Sequence, residues 1–280
     1  MTFTQQQRMT QQQENDHSDE SAERLQPQGD NPKEKGKLLN KVALITGGDS
    51  RLGRAVAIAF AKEGADVAIT YLNQQEDAEQ TKRIVEQAGR SCLVLVGDVN
   101  DEKFCQQAVQ QTLNKFSQLD ILVNNAVQQH PKETIENTST EQLERDLDAG
   151  ICAMFYMTNA AEPYLKEGSV IINTTSVTAY QDNNQLIDYS ATKGAIMTFT
   201  RSSSKSLEEK GIRVNGIAPG PVWTLQVPSN LSADKVEEFG NQLPKGQVIE
   251  PEEIARSFVF LASDESAYMA GQILFTQTQF

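Results

Sequence analysis

The sequence predicts an α/β fold: one doubly wound parallel sheet of about seven strands with helices on both faces. Three observations carry that expectation. Short apolar runs that read as buried strands alternate along the chain with longer segments whose apolar residues recur at helical spacing. The first strand runs directly into a glycine-rich turn and then a helix. A length of 280 residues with 38% hydrophobic residues fits one large domain of this kind or two small ones, and the unbroken strand–helix alternation favours one.

Taken in order, residues 1–36 stand apart. Eight glutamines, Pro27 and Pro32 leave only Phe3 and Leu25 as bulky apolar residues besides methionine. Such a segment buries too little apolar area to offset its ordering entropy, so it reads as a disordered polar tail, with a partner-binding arm as the alternative. Val42-Ala43-Leu44-Ile45 reads as the first buried strand and Leu52 to Lys62 as a helix with Leu52, Val56, Ala59 and Phe60 on one face. Val67–Ile69, Cys92–Val96 and Ile121–Val123 read as the next strands, with helices over about 76–88 and 102–116 between them. Residues 139–166 read as a long helix broken near Gly150 or Pro163. Val170–Ile172 is a fifth strand, Tyr189 to about Lys210 a long helix, and Ile212–Asn215 a sixth strand. Short helices near 232–240 and 251–262 precede a last strand at Gln272–Phe275. Strands buried on both faces argue for a parallel sheet, and such a domain binds ligands at the carboxyl ends of its strands.

Composition narrows the function. The net charge of −13 repels polyanions and anionic bilayers, so no nucleic acid and no membrane is expected as a partner. Cys92, Cys105 and Cys152 are odd in number and far apart, which suggests neither a disulfide framework nor a metal site. A reducing compartment, the cytoplasm, is the simplest reading. Neither a secretory signal nor a membrane-length apolar run is visible.

The chemistry concentrates in two places. The turn Thr46-Gly47-Gly48-Asp49-Ser50-Arg51-Leu52-Gly53 lets backbone approach a pyrophosphate, with free N–H groups at the helix start; its alternative is an ordinary strand-to-helix turn. Tyr189 and Lys193 are four residues apart and share a helical face. An ammonium there is expected to lower the phenol pKa and make Tyr189 a general acid/base, with Ser176 upstream to hold a substrate oxygen. The plain reading is a surface Tyr–Lys pair and a loop serine. His130, beside Pro131, reads as a loop residue, Trp223 as packing over the pocket, and Cys152 as inert packing.

Together these pieces resemble the short-chain dehydrogenases/reductases over about residues 37–275. Thr46-Gly47 with Gly53, Asp98, Asn124-Asn125-Ala126, Ser176, Tyr189, Lys193, Asn215 and Pro219-Gly220-Pro221 follow in the family's order. Within the family, Asp188-Tyr189-Ser190-Ala191-Thr192-Lys193-Gly194 looks like the bacterial general-stress-protein, glucose/ribitol-dehydrogenase-like branch. The resemblance implies a Rossmann fold and a nicotinamide cofactor. Gly47, Asp49, Ser50, Arg51, Leu52 and Gly53 would take the pyrophosphate side, and Tyr71 and Asn73 the adenosine ribose. Asp98 and Val99 would frame the adenine, and Asn125 and Ala126 would line the channel. Pro219, Gly220, Val222 and Thr224 would surround the nicotinamide. Ser176 would polarise the substrate oxygen, Tyr189 would exchange its proton, and Lys193 would tune Tyr189 and hold the nicotinamide ribose. It also implies a small-molecule substrate and a homo-oligomer, dimer or tetramer.

Three departures stand out. Arg51 replaces a glycine of the phosphate turn, where a side chain is strained if φ is positive. Gly150 stands where relatives place an active-site asparagine, so Gly150→Asn is expected to raise turnover. The C-terminal Phe275-Thr276-Gln277-Thr278-Gln279-Phe280 lacks the family's usual ending. No carboxylate follows the second strand at Ile69–Asn73, which with Arg51 leans the expectation slightly to NADP over NAD. The activity expected is hydride transfer between that cofactor and a small carbonyl or alcohol. The rival is a weakened cofactor-binding pseudoenzyme or stress-related interaction protein.

Overall fold

Val42 to Ile45, four apolar residues in a row, form an interior strand of the sheet. The computed structural model describes residues 36–126, 139–180, 187–220 and 249–277. The expectations for the tail before Gly36, the helix near 232–240, and His130, Val222, Trp223 and Thr224 lie outside those residues. Seven strands are present among the described residues. They are β1 (Val42–Ile45), β2 (Asp66–Tyr71), β3 (Cys92–Val96), β4 (Ile121–Asn124), β5 (Val170–Thr174), β6 (Arg213–Pro219) and β7 (Ile273–Thr276). They pair in the order β3-β2-β1-β4-β5-β6-β7, all parallel. The chain winds outward from β1 in one direction to β3, then returns to the other side of β1 at β4. That reversal is the switch point where doubly wound sheets open a ligand crevice.

Helices cover both faces: α1 (Arg51–Lys62), α2 (Gln75–Gln87), α3 (Glu102–Phe116), α4 (Thr140–Leu147), α5 (Ala153–Ala161), α6 (Ile187–Leu207) and α7 (Pro251–Ala262). Along β1, Ala43 and Ile45 enter one core while Leu44 enters the other. Both faces are buried, which is why the strand reads as a continuous apolar run without alternation. The first core joins α1 to α7 through Phe60, Ile254 and Phe258. The second joins α3 to α5 through Phe104, Val109 and Met157.

Local signals set the helix ends. Ser50 caps α1, its Oγ accepting the Gly53 N–H at 3.1 Å. Just after α1, Gly64 takes φ +95°, a conformation that suits glycine. Pro251 opens α7, and the Glu253 carboxylate accepts the Glu250 N–H at 3.2 Å. The long helix expected over 139–166 is divided. A π-helical turn, Asp148–Cys152, centred on Gly150, separates α4 from α5, and a 3₁₀ turn at Glu162–Tyr164 follows at Pro163.

Candidate active site

The carboxyl ends of β1, β4, β5 and β6 gather the polar residues singled out in the sequence. Thr46, leaving β1, accepts the N–H groups of Asn125 and Ala126 on its Oγ1, both at 2.9 Å. Asn125 answers by donating its Nδ2 to the Thr46 carbonyl at 3.0 Å and the Gly47 carbonyl at 3.3 Å. The ends of β1 and β4 are thereby laced into one rigid floor. Ser50 Oγ donates to the Gly47 carbonyl at 2.7 Å, closing the turn on itself.

The glycines of this turn leave a cradle. Gly47 has φ +67°, and a Cβ there would lie 3.1 Å from Ala126 Cα. A Cβ on Gly53 would lie 2.1 Å from the Gly47 carbonyl oxygen. The first turn of α1 itself carries no acidic residue to oppose an anion, although the Asp49 carboxyl stands just before it and accepts from the backbone there. These residues fit a pyrophosphate. Arg51 is exposed and helical. Its φ is not positive, so the strain considered for a side chain at this position does not arise.

A brace behind the turn had no signal in the sequence. Thr81 of α2 is fully buried and donates Oγ1 to the Gly48 carbonyl at 2.9 Å. Arg54 of α1 pairs with Asp77 at 2.5 Å and also reaches Thr81 Oγ1 at 3.2 Å. A threonine and an arginine on polar helix faces look like solvent-facing residues until the turn is folded against them. Near the brace, burial raises the Asp49 carboxyl above its usual range, and the neighbouring Asp77 adds to the shift.

The adenosine end is less closed. Tyr71 is buried at the end of β2, whereas Leu72 and Asn73 are exposed. Asp98 is half-buried and accepts the Asn100 N–H at 2.9 Å, and the Val99 carbonyl accepts from the Cys105 thiol. Pro219 ends β6 and Gly220 follows it.

Ser176 follows β5 and is buried; Tyr189 and Lys193 lie on the first turns of α6. Ser176 and Tyr189 share a hydrogen bond between their hydroxyls. Lys193 is 1% exposed, and its Nζ donates to the Thr174 carbonyl at 3.0 Å and sits 5.3 Å from the centroid of the Tyr189 ring. Thr175 Oγ1 donates to the Lys193 carbonyl at 2.8 Å and ties that helix turn to β5. The structure thus brings all three residues together. It does not lower the phenol pKa. Burial pushes Tyr189 up to about 12, against the pull of the Ser176 hydrogen bond, and burial draws Lys193 down to about 7. Desolvation outweighs the ammonium, which lies by the ring face rather than at the hydroxyl. Thr174 and Thr175, which hold Lys193, were not legible because the contact is made through main-chain carbonyls.

Gly150 is packed rather than open. A Cβ there would stand 2.0 Å from Thr192 Cγ2, and Thr192 is fixed by its Oγ1 donating to the Asp188 carbonyl at 2.9 Å. The expectation that asparagine fits here and raises turnover meets a methyl group in the way. Cys92 and Cys105 are buried, with thiols pushed up to about 12 by burial, and neither is in a disulfide. Among the described residues no helix is long and apolar enough to cross a membrane.

A family model described as enoyl-(acyl carrier protein) reductase matches residues 48–277. The chain is 56% identical to the uncharacterised oxidoreductase YhdF of Bacillus subtilis over 239 residues, covering 85% of this chain and 83% of that one. It is 53% identical to general stress protein 39 of the same organism over 238 residues, covering 85% and 83%. A short-chain dehydrogenase from Burkholderia cenocepacia, solved in complex with NADP, superposes with a TM-score of 0.81 at 28% identity, covering 86% and 98%.

Proposed function

The chain belongs to the short-chain dehydrogenase/reductase family, and on that premise we propose that it reduces small aldehydes or ketones to alcohols with Tyr189 as the proton donor. The observation that carries the reading is the Ser176–Tyr189–Lys193 set at the carboxyl end of β5, with Ser176 and Lys193 buried and Tyr189 half-buried. A reduced nicotinamide supplies the hydride when bound. Gly47, Ser50 and Gly53 hold the pyrophosphate; Asp98, Val99, Asn125 and Ala126 line the path to the site. Ser176 donates a hydrogen bond to the substrate carbonyl oxygen and fixes its place. Tyr189, protonated at neutral pH because its pKa is about 12, gives its proton to that oxygen as the alcohol forms. Lys193 then stands beside the phenolate and favours its transient charge.

NADP is the cofactor this reading prefers. Arg51 at the exposed start of α1 and the lack of a carboxylate at Leu72–Asn73 both favour a 2′-phosphate, and the Burkholderia relative holds NADP. We place the protein in the cytoplasm as a homo-oligomer. The rival reading, a weakened enzyme, draws on the filled space at Gly150.

The deciding experiment is turnover of an aldehyde and ketone panel by wild type and Tyr189→Phe, with NADPH and NADH binding followed in parallel by nucleotide fluorescence. Tyr189→Phe is expected to lower kcat by about 10²–10⁴ while nucleotide affinity holds. Binding without turnover in wild type would instead establish the pseudoenzyme.

A further inference from the structure

We propose that Tyr180 and Phe275 form an aromatic wall of the substrate pocket. On the hydride-transfer reading above, this selects carbonyl compounds bearing an aryl or bulky apolar group beside the reacting carbon, in preference to polyhydroxylated sugars.

The two rings meet edge to face, with centroids 4.8 Å apart and planes at 79°. Their position places them at the reacting end. Tyr180 closes the single 3₁₀ turn, Val177–Ala179, that starts from Ser176, its N–H bonded to the Val177 carbonyl at 2.9 Å. Phe275 lies near the carboxyl end of β7, in register with Ala218 of β6. The face follows from the period of two along a strand. A Cβ on Gly216 would meet Ile273 Cδ1 at 2.5 Å and Thr200 Oγ1 of α6 at 3.7 Å, so Ile273 points toward α6. Leu274 packs into the opposite core with α1 and α7. Phe275 therefore shares the α6 face with Ile273. The helix α6 runs antiparallel to the strands, so its first turns, with Tyr189 and Lys193, stand over their carboxyl ends. Ser176, Tyr189, Tyr180 and Phe275 occupy one face and one end of the sheet.

The chemistry of the wall sets the substrate. Tyr180 keeps 57% of its surface exposed, a large ring left uncovered on the turn that starts at Ser176. An aromatic pair in this geometry offers ring faces and edges for a further ring to stack against. It offers a sugar chain a single phenolic hydroxyl for a whole row of hydroxyl groups, which would lose water without gaining partners.

The test uses the full chain with reduced nucleotide bound and two alcohols, benzyl alcohol and ribitol, which cannot react with it. Binding is read by quenching of nucleotide fluorescence and by saturation-transfer NMR. Benzyl alcohol is expected to bind at least about tenfold more tightly than ribitol. Phe275→Ala and Tyr180→Ala are each expected to weaken benzyl alcohol at least about tenfold, with Phe275→Leu, which keeps bulk, falling between, and with the nucleotide titration unchanged. Equal or tighter ribitol binding, no benzyl alcohol binding, or variants that bind benzyl alcohol like wild type would overturn the wall. Turnover of benzaldehyde and glucose separates the two readings. Benzyl alcohol binding without benzaldehyde turnover would sink hydride transfer and leave the wall standing. Turnover confined to glucose would do the reverse.

Discussion

Gly150 and Lys193 are the residues where single atoms decide the outcome. At Gly150 the obstacle to a side chain is one methyl group, Thr192 Cγ2. Thr192 cannot turn aside without giving up its bond to Asp188. Gly150→Asn is therefore expected to cost about 1–3 kcal/mol by overpacking. Thr192→Ser removes that methyl and keeps the hydroxyl, so Gly150→Asn/Thr192→Ser should recover most of the loss; a denaturant double-mutant cycle measures the coupling, and an additive result would place the clash elsewhere. Lys193 gives a pH signature. Its folded pKa of about 7 lies below the ordinary 10.5, so the folded state binds its proton less readily than the unfolded state. Its contribution is present above pH 10.5 and is lost progressively as pH falls toward 7. Lys193→Met should be less acid-sensitive across that window. The stability difference between variant and wild type, from urea titrations of the free protein, should grow by about 3–5 kcal/mol from pH 10.5 to pH 6. A pH-independent difference would show that the amine is solvated.

Each α/β unit rests on a few fully buried side chains in its helix. Phe60 of α1 is 0% exposed between β1 and α7, and Phe60→Ala is expected to cost about 3–5 kcal/mol, read as a shift in urea midpoint with nucleotide binding retained under native conditions. Most elements were legible in the sequence because their signals are local. Apolar runs marked β1 and β3, and Leu52, Val56 and Phe60 marked the buried stripe of α1. The break at Gly150 was legible as a glycine inside a helical pattern, but its π form and its packing against Thr192 of another helix were not, since that contact is made only in the folded chain. Of the candidate site, Gly47, Asn125, Ser176, Tyr189 and Lys193 were legible from type and order. The brace of Arg54, Asp77 and Thr81 and the Tyr180–Phe275 pair were not. Those contacts join residues 23 to 95 positions apart and exist only after the sheet has formed.

On the scale of the whole molecule, β7 is an edge strand whose residues are all half-buried, and Phe155 and Tyr268 are exposed on the surface. Light scattering at micromolar concentration is expected to show a dimer or tetramer, and a monomer at that concentration would refute the assembly proposed above. The net charge of −13 acts against that association, so the assembled fraction should rise with salt. The packing of α1 on α7 also bears on how the chain is made. Phe60 shares its core with Phe258 of α7, which the ribosome adds about 200 residues later. At about 5–20 residues per second, the apolar stripe of α1 emerges roughly 10–40 s before its cover exists. During that interval the nascent chain presents a greasy face to every neighbour in a crowded polysome. A chaperone that shields α1 over that interval is expected to raise the folded yield, read as soluble protein recovered with and without it.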